Sequence, residues 1–155
     1  MSYFLYASFP NSRQKNRNPT VQAKTDQFYA NTLDAAALTL ASPANLDRTY
    51  CILKNLGEDF NFFYIYADLI NFDPTIIPTF GVPEQAIYNL STNKIYQKLT
   101  EGIGTDWVIK TIDQIGEQVE PFQSANLDSL ENIWVATSAV SPSNPTLIGK
   151  DEGRG

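Results

Sequence analysis

The residue types that carry most enzymatic chemistry are scarce in this chain. It has no histidine and a single cysteine, Cys51. Without histidine it cannot build a Ser-His-Asp or Cys-His catalytic arrangement, and one thiol can form neither an intrachain disulfide nor a cysteine-based zinc site. Carboxylates remain, but pairs such as Asp68 with Asp73, or Glu58 with Asp59, show no pattern that would fix them across a cleft. The sequence therefore predicts no catalytic residue, no metal site and no cofactor.

Cys51 is the one candidate nucleophile in the chain. A reactive thiol must be exposed, and its pKa must be lowered by a nearby cation or a helix N-terminus. Cys51 stands between Tyr50 and Ile52 in an apolar run, where a cysteine typically packs as a small hydrophobic side chain. We favour that buried interpretation and keep a reactive single thiol as the alternative.

The size, composition and charge of the chain indicate a single globular domain and argue against binding to nucleic acid or membranes. The chain has 155 residues, of which 43% are hydrophobic, and nine Phe, eight Tyr and two Trp supply large side chains for a core. These values fit one domain. A net charge of −6 argues against nucleic acid as a partner. No run is long enough to cross a membrane, and the N-terminus lacks the pattern of a signal peptide. We therefore expect a cytoplasmic, intracellular or virion protein that binds neither nucleic acid nor membranes.

The charges are unevenly distributed along the chain. Arg13, Lys15 and Arg17 lie close together, with Lys24 shortly after them, whereas residues 101–131 contain seven acidic residues and one lysine. Two interpretations of the basic cluster stay open. It is a solvated loop, or it contacts an acidic partner or a second copy of the same chain.

The apolar pattern predicts the elements that would have to position any site. Residues 3–7 are aromatic and apolar, which is typical of a short strand, and the polar residues 11–19 predict a loop. Between residues 20 and 41 apolar side chains recur at helical spacing, so we expect a long helix there. Residues 46–56 and 60–71 fit a helix or a strand, because periodicity cannot separate the two over short runs.

A hairpin and a second helix are predicted further along the chain. Residues 85–90 and 94–99 are strand-like and flank a plausible three-residue turn. Thr105 is a good N-cap, and an apolar stripe beginning at Trp107 predicts a helix over residues 106–118. One more short element is expected around Trp134.

One segment resembles a known family. The run GVPEQAIYNLSTNKIYQKLTEG, residues 81–102, precedes the predicted helix with Trp107 in its first turn. Over residues 77–118 this arrangement is similar to the C-terminal half of a thioredoxin-like domain. The resemblance implies a cis bond between Val82 and Pro83 that introduces a strand.

The same resemblance implies the fold class. We expect an α/β (α+β) domain of three layers, with a central mixed sheet and flanking helices, and an extended C-terminal tail. Where the family has its Cys-x-x-Cys site, residues 10–13 read Pro-Asn-Ser-Arg. The resemblance therefore implies a redox-inactive version of that domain.

The C-terminal segment directs the functional hypothesis. We expect a domain of residues 1–120 and an extended arm of residues 121–155, because the sequence after Thr137 is too polar and too rich in proline and glycine to build a core. Removal of residues 137–155 should abolish assembly while leaving the domain folded. The partner-binding candidates are Arg13, Lys15, Arg17, Trp134, Pro142, Pro145, Leu147 and Ile148.

The function predicted from these features is that of a non-enzymatic assembly subunit. It would bind other protein subunits as a homo- or hetero-oligomer, for example in a phage or viral particle. The alternative is a thioredoxin-like redox or binding protein that uses Cys51 as a single thiol.

Overall fold

The structure describes most of the chain and assigns its strands and its one short helix there. The computed structural model describes residues 21–33, 37–138 and 147–154. In these residues the elements, in chain order, are β1 (Val21–Phe28), β2 (Thr39–Ser42), β3 (Arg48–Asn55), β4 (Phe62–Tyr66), β5 (Asp68–Ile70), β6 (Thr79–Gly81), β7 (Ala86–Asn89), β8 (Lys94–Lys98), β9 (Gly102–Gly104), β10 (Trp107–Lys110), α1 (Ile112–Ile115), β11 (Glu117–Val119), β12 (Ser124–Leu127), β13 (Ile133–Thr137) and β14 (Leu147–Arg154).

These strands form three four-stranded sheets and a two-stranded ribbon. The outer sheet has the order β1-β14-β3-β12, the central sheet β11-β4-β13-β2 and the third sheet β10-β8-β7-β5, while β6 and β9 form the ribbon. Neighbouring strands are antiparallel, except that β5 runs parallel to β7. The outer and central sheets together are called the sandwich below, and residues 68–110, which contain β5 to β10, the inserted unit.

The middle strand of the central sheet, β13, is buried on both faces. All five residues of β13 are buried, and the strand lies between β4 and β2. Successive side chains of a strand point to opposite faces. Accordingly, Ile133 and Val135 join the core shared with the outer sheet, whereas Trp134 and Ala136 join the core shared with the third sheet. An unbroken apolar run such as Ile133–Thr137 suits a strand that has no solvated face.

The inserted unit packs on the central sheet through aromatic side chains. The ring of Tyr88 from β7 meets the ring of Trp134 edge-on, with centroids 4.9 Å apart. The indole N–H of Trp134 donates to the carbonyl of Ala67 at 3.0 Å, which satisfies its one buried polar group. On its other face the third sheet carries a smaller core of Ile87, Tyr96 and Trp107.

The predicted α/β fold class is wrong. The described residues contain one helix of only four residues, and the three layers are all sheets, so no helices flank a central sheet. The central sheet contains antiparallel pairs and is not mixed. Helical spacing in the sequence was misleading because long-range strand pairing decides the conformation of several segments.

The long helix predicted over residues 20–41 is also wrong. This stretch contains β1 and β2 instead. β1 pairs with β14 over eight residues, from Val21 opposite Arg154 to Phe28 opposite Leu147. Its partner lies more than a hundred residues away, outside any local sequence window.

The helix predicted over residues 106–118 is replaced by β10, the four-residue α1 and β11. The segment is rich in β-branched residues, which favour strands, and β10 lies beside β8, with Trp107 opposite Lys98. Gly116 ends α1 at a crowded point, because a Cβ there would lie 2.5 Å from the carbonyl oxygen of Ile112. Thr105 is therefore not a helix cap.

Other predictions fare differently. The hairpin is confirmed, since β7 and β8 pair from Ala86 opposite Gln97 to Asn89 opposite Lys94. The two ambiguous segments are strands: residues 46–56 contain β3, and residues 60–71 contain β4 and β5. The predicted strand and loop at residues 3–7 and 11–19 lie outside the described residues.

The predicted arm contributes strands to both sheets of the sandwich. β12 and β14 pair with β3, and β13 pairs with β4 and β2. The division at residue 120 stays a prediction. The expectation that residues 137–155 can be removed from a folded domain has lost its basis, because β14 lies inside the outer sheet.

Candidate interaction surface

The β6–β9 ribbon is seated on Trp107 through small residues. A Cβ at Gly81 would lie 2.7 Å from the indole ring of Trp107, so only glycine permits this close approach. The indole N–H of Trp107 points to the carbonyl of Thr79 at 3.4 Å. At Gly104 a Cβ would lie 2.8 Å from a carboxylate oxygen of Asp106. The inward face of the ribbon is therefore fixed against the third sheet.

The outward face of the ribbon carries two large apolar side chains. Phe80 and Ile103 stand directly opposite each other across β6 and β9. Their neighbours along each strand are Thr79, Gly81 and two glycines, so the alternation of a strand sends both large side chains away from Trp107. Phe80 is 60% exposed and Ile103 is 76% exposed. A paired aromatic and β-branched residue is thus displayed to solvent.

Further exposed apolar residues flank this pair along the chain. They precede and follow the two ribbon strands and comprise Ile76, Ile77, Val82 and Leu99. We call these residues together with Phe80 and Ile103 the ribbon surface. Single exposed apolar side chains are normal, but adjoining ones are typical of a contact with another molecule, and Phe80 and Ile103 are the members of this set that the strand pairing places side by side.

An ion pair between the buried Lys98 and the partly exposed Asp106 lies beneath the ribbon. The Lys98 side chain is 1% exposed, and its ammonium group donates to the carboxylate of Asp106 and, at 2.8 Å, to the carbonyl of Thr100. The same ammonium lies 5.8 Å from the ring centroid of Trp107. Thr100 donates its backbone N–H to the second oxygen of Asp106 at 2.9 Å. A buried lysine is tolerated here because its charge is paired and its ammonium group donates two hydrogen bonds.

Asp106 is held in its charged form by these contacts. The hydrogen bonds from Lys98 and then Thr100 keep the pKa of Asp106 well below its ordinary value of 3.8. The ion pair is therefore present at neutral pH. Its lysine is occupied by the carboxylate, which makes the pair a support for the ribbon and a poor source of a free nucleophile.

A cavity of about 360 Å³ opens between the central and third sheets. Tyr88 stands in its wall, where the hydroxyl accepts the N–H of Leu38 at 3.1 Å and donates to the side chain of Asn93 at 3.4 Å. Lys110 and Asp113 lie at its rim. The cavity has both apolar and charged lining residues, and these residue types do not indicate a particular enzymatic reaction.

A second concave region borders β5. This groove has a volume of about 590 Å³ and is lined by Leu69, Ile70, Asn71, Phe72, Leu90 and Ser91. Leu69 is 50% exposed and Leu90 is 48% exposed. The groove therefore lies beside an end strand of the third sheet and is mainly apolar.

Cys51 and Trp134 lie in the core. Cys51, on β3, is 1% exposed and belongs to the cluster between the outer and central sheets. Trp134 is 3% exposed and packs against Tyr88. Neither side chain offers surface to a partner in this structure.

The Val82–Pro83 segment forms a turn between β6 and β7. The N–H of Gln85 donates to the carbonyl of Val82 at 3.0 Å, which places Pro83 at the second position of a β-turn. Glu84, at the third position, has a φ of 70°, a value that glycine usually supplies in turns of this kind. The N–H of Glu84 donates to the carbonyl of Lys98 at 3.0 Å, which ties the turn to β8. The cis state of the Val82–Pro83 bond stays a prediction.

The remaining candidates are placed only in part. Leu147 and Ile148 begin β14, opposite Phe28 and Gln27 of β1. Arg13, Lys15, Arg17, Pro142 and Pro145 lie outside the described residues. Sequence reasoning missed the ribbon surface, although its signal is present: Thr-Phe-Gly and Gly-Ile-Gly each set one large apolar residue between small ones.

The described part of the chain contains no group of three or more His, Cys, Asp or Glu residues that could hold a metal ion. None of its helices is long and apolar enough to cross a membrane. Comparisons of the chain with protein-family models, curated proteins and solved structures find no match, so they neither support nor refute the resemblance to the thioredoxin-like family.

Proposed function

We propose that this protein is a non-enzymatic subunit of a larger protein assembly and that the ribbon surface is a contact with a neighbouring subunit. The observation that carries the proposal is the exposed pair of Phe80 and Ile103 on the ribbon. A phage or viral particle is one kind of assembly that such a subunit would fit.

The energetics favour a contact at this place. Full burial of a side chain such as Phe or Ile stabilises an interface by about 1.5–3 kcal/mol relative to leaving it exposed. Phe80 and Ile103 stand on a ribbon that Trp107 and the Lys98–Asp106 pair hold in place. A partner would therefore meet a preformed surface, and little conformational entropy would be lost on binding.

Strand β14 does not provide the assembly contact that the sequence suggested for the C-terminal segment. Both edges of β14 are paired within its own chain, with β1 and with β3. Residues 147–154 are therefore not available to add a strand to the sheet of a neighbour while the outer sheet is intact. The contact has to be sought on the inserted unit.

The single-thiol alternative receives no support from the geometry. A thiol that reacts with disulfides has to be reached by its substrate, and Cys51 is 1% exposed inside the sandwich core.

The test is the self-association of the purified chain. In the double variant Phe80→Ser/Ile103→Ser we expect at least a tenfold weaker association, because two apolar anchors are removed from an interface. The measurement is sedimentation velocity over a concentration series, with the thermal midpoint as a check of folding.

The matched control is Leu46→Ser. Leu46 is 85% exposed in the turn before β3, far along the chain from the ribbon, so its loss removes a similar apolar side chain from another surface. The proposal for copies of this chain fails if the wild-type protein stays monomeric throughout, or if the control and the double variant weaken association equally.

A further inference from the structure

The third sheet ends in a strand with an open side. β5 pairs with β7 on one side, and among the described strands nothing pairs with its other side. An end strand with unpaired backbone groups is a ready template for another extended segment. β5 is only three residues long, which limits non-specific pairing but leaves the edge available.

An apolar groove adjoins this edge. Leu69 and Leu90 project into it at about half exposure, and Phe72 lies in its lining. When an extended segment pairs with a sheet edge, backbone hydrogen bonds supply affinity and pockets for alternate side chains supply specificity. The β5 edge and the groove offer both parts together.

The surroundings of the edge are acidic. Asp68, the first residue of β5, is exposed, and Glu131 lies close enough for the two carboxylates to repel each other. Burial, and then the charge of Asp68, raise the pKa of Glu131. A cationic group brought to this place would relieve the repulsion, so the edge favours a segment that carries positive charge.

The chain itself contains a segment of matching chemistry. Residues 3–9 read Tyr-Phe-Leu-Tyr-Ala-Ser-Phe, a sequence that would place apolar side chains on both sides of the backbone if it paired with a strand, and Arg13, Lys15 and Arg17 follow in the sequence. Seven extended residues span roughly 23 Å, compared with roughly 10 Å for β5. Such a segment is long enough to cover both the β5 edge and the groove.

We propose that the β5 edge and its groove bind residues 3–9 of a second copy of this chain, with Arg13, Lys15 and Arg17 of that copy near Asp68 and Glu131. This inference rests on the proposed assembly function and names a second contact within it. A second copy is the favoured donor because β1 starts in the outer sheet, on the far side of the central sheet from β5. Binding within one chain would require residues 10–20 to pass the whole central sheet.

The test uses full-length chains that carry Phe80→Ser/Ile103→Ser, so that the ribbon surface no longer contributes. A donor-defective chain adds Phe4→Asp/Leu5→Asp. An acceptor-defective chain adds Leu69→Lys/Leu90→Lys, both at half-exposed positions where lysine can reach solvent. We expect each variant alone to be monomeric at concentrations where the parent still associates, and an equimolar mixture to form a heterodimer in sedimentation velocity.

The mixture is the decisive experiment. In it the intact donor segment is on one variant and the intact acceptor edge is on the other, so they can pair only between two chains. A mixture that stays monomeric while the parent associates overturns the inference. So does an acceptor-defective chain that associates like the parent, or a donor change that alters the thermal midpoint but not the association. Leu46→Lys in place of the acceptor changes is the matched control and should leave association unchanged.

The outcomes separate this inference from the proposed function. If the wild-type chain associates and the Phe80→Ser/Ile103→Ser variant is monomeric at every concentration, the proposed ribbon contact is supported and the proposed β5 contact is overturned. If the wild-type chain itself is monomeric at every concentration, both contacts between copies of this chain are ruled out.

Discussion

The sandwich and the inserted unit each contain a buried cation, and the two cations differ in how far along the chain their hydrogen-bond partners lie. In the sandwich, the Arg48 guanidinium group donates to the carbonyl of Glu131 at 3.0 Å and to the hydroxyl of Ser42 at 2.7 Å, and it also binds the carbonyls of Pro43 and Ser129. Two of these partners lie 81 and 83 residues away in sequence. In the inserted unit, Lys98 finds its partners two and eight residues away.

The strand pairings repeat this contrast. β7 and β8 of the inserted unit are joined by four residues, whereas β3 of the sandwich pairs with β12 and β14 from the far end of the chain. Local contacts lose little chain entropy when they form, while distant ones depend on the whole fold being in place. The sandwich should therefore be the more cooperative region and the more sensitive to truncation.

Removal of residues 147–155 should have the largest effect. β14 faces β1 over eight residue pairs and β3 over seven, so its loss leaves β1 without its partner and opens the outer sheet. We expect a loss comparable to the whole folding free energy of a typical domain, about 5–15 kcal/mol. The measurement is near-ultraviolet circular dichroism with a thermal scan.

Removal of Gly155 alone is the control for this truncation and should leave the thermal transition in place. A truncated chain that still unfolds cooperatively at the wild-type temperature would contradict the role of β14 and would restore the picture of a dispensable arm.

Arg48→Ala should have the next largest effect. Arg48 is 5% exposed, and its loss removes hydrogen bonds to the buried hydroxyl of Ser42 and to three partly buried carbonyl groups. We expect the free energy of unfolding to fall by about 3–5 kcal/mol, since hydrogen bonds from a charged donor are stronger than neutral ones. The measurement is urea denaturation at neutral pH.

Arg48→Lys separates charge from geometry at the same position. Lysine keeps the charge but cannot reproduce the planar fork of the guanidinium group, so we expect a loss between those of the wild type and Arg48→Ala. If Arg48→Lys is as stable as the wild type, the long-range hydrogen bonds are not what stabilises this part of the sandwich.

Asp106→Asn should have a smaller, pH-dependent effect on the inserted unit. The folded pKa of Asp106 lies below its ordinary value of 3.8, because Lys98 and then Thr100 donate to the carboxylate. The carboxylate therefore stabilises the fold above about pH 4, and this contribution is lost as the pH falls through the folded pKa. The variant should be less stable at pH 7, and the two stability curves should converge in acid.

Asp113→Asn, which removes an exposed carboxylate from α1, is the control for net charge. Stability curves of the wild type and Asp106→Asn that stay parallel as the pH falls from 7 to below the folded pKa of Asp106 would show that the Lys98–Asp106 pair does not stabilise the inserted unit.

Sequence reasoning succeeded where neighbours in the chain are neighbours in space. The hairpin of β7 and β8 was predicted because its strands flank their own turn, and the burial of Cys51 was favoured because Tyr50 and Ile52 flank it. It failed over residues 20–41 and 106–118, where apolar spacing suits a helix but strands form. The ribbon surface was missed, because exposure of Phe80 depends on what Trp107 covers.

By itself the sequence determined the chemical inventory: no histidine, one thiol, an acidic net charge and enough aromatic residues for a core. These follow from residue identity and need no coordinates. The tertiary structure alone decided that the three layers are sheets, that β14 lies between β1 and β3, and that Phe80 and Ile103 face solvent while Trp134 does not. Each of these depends on pairing or packing between distant segments, and the free energy of such contacts is not encoded in any local window.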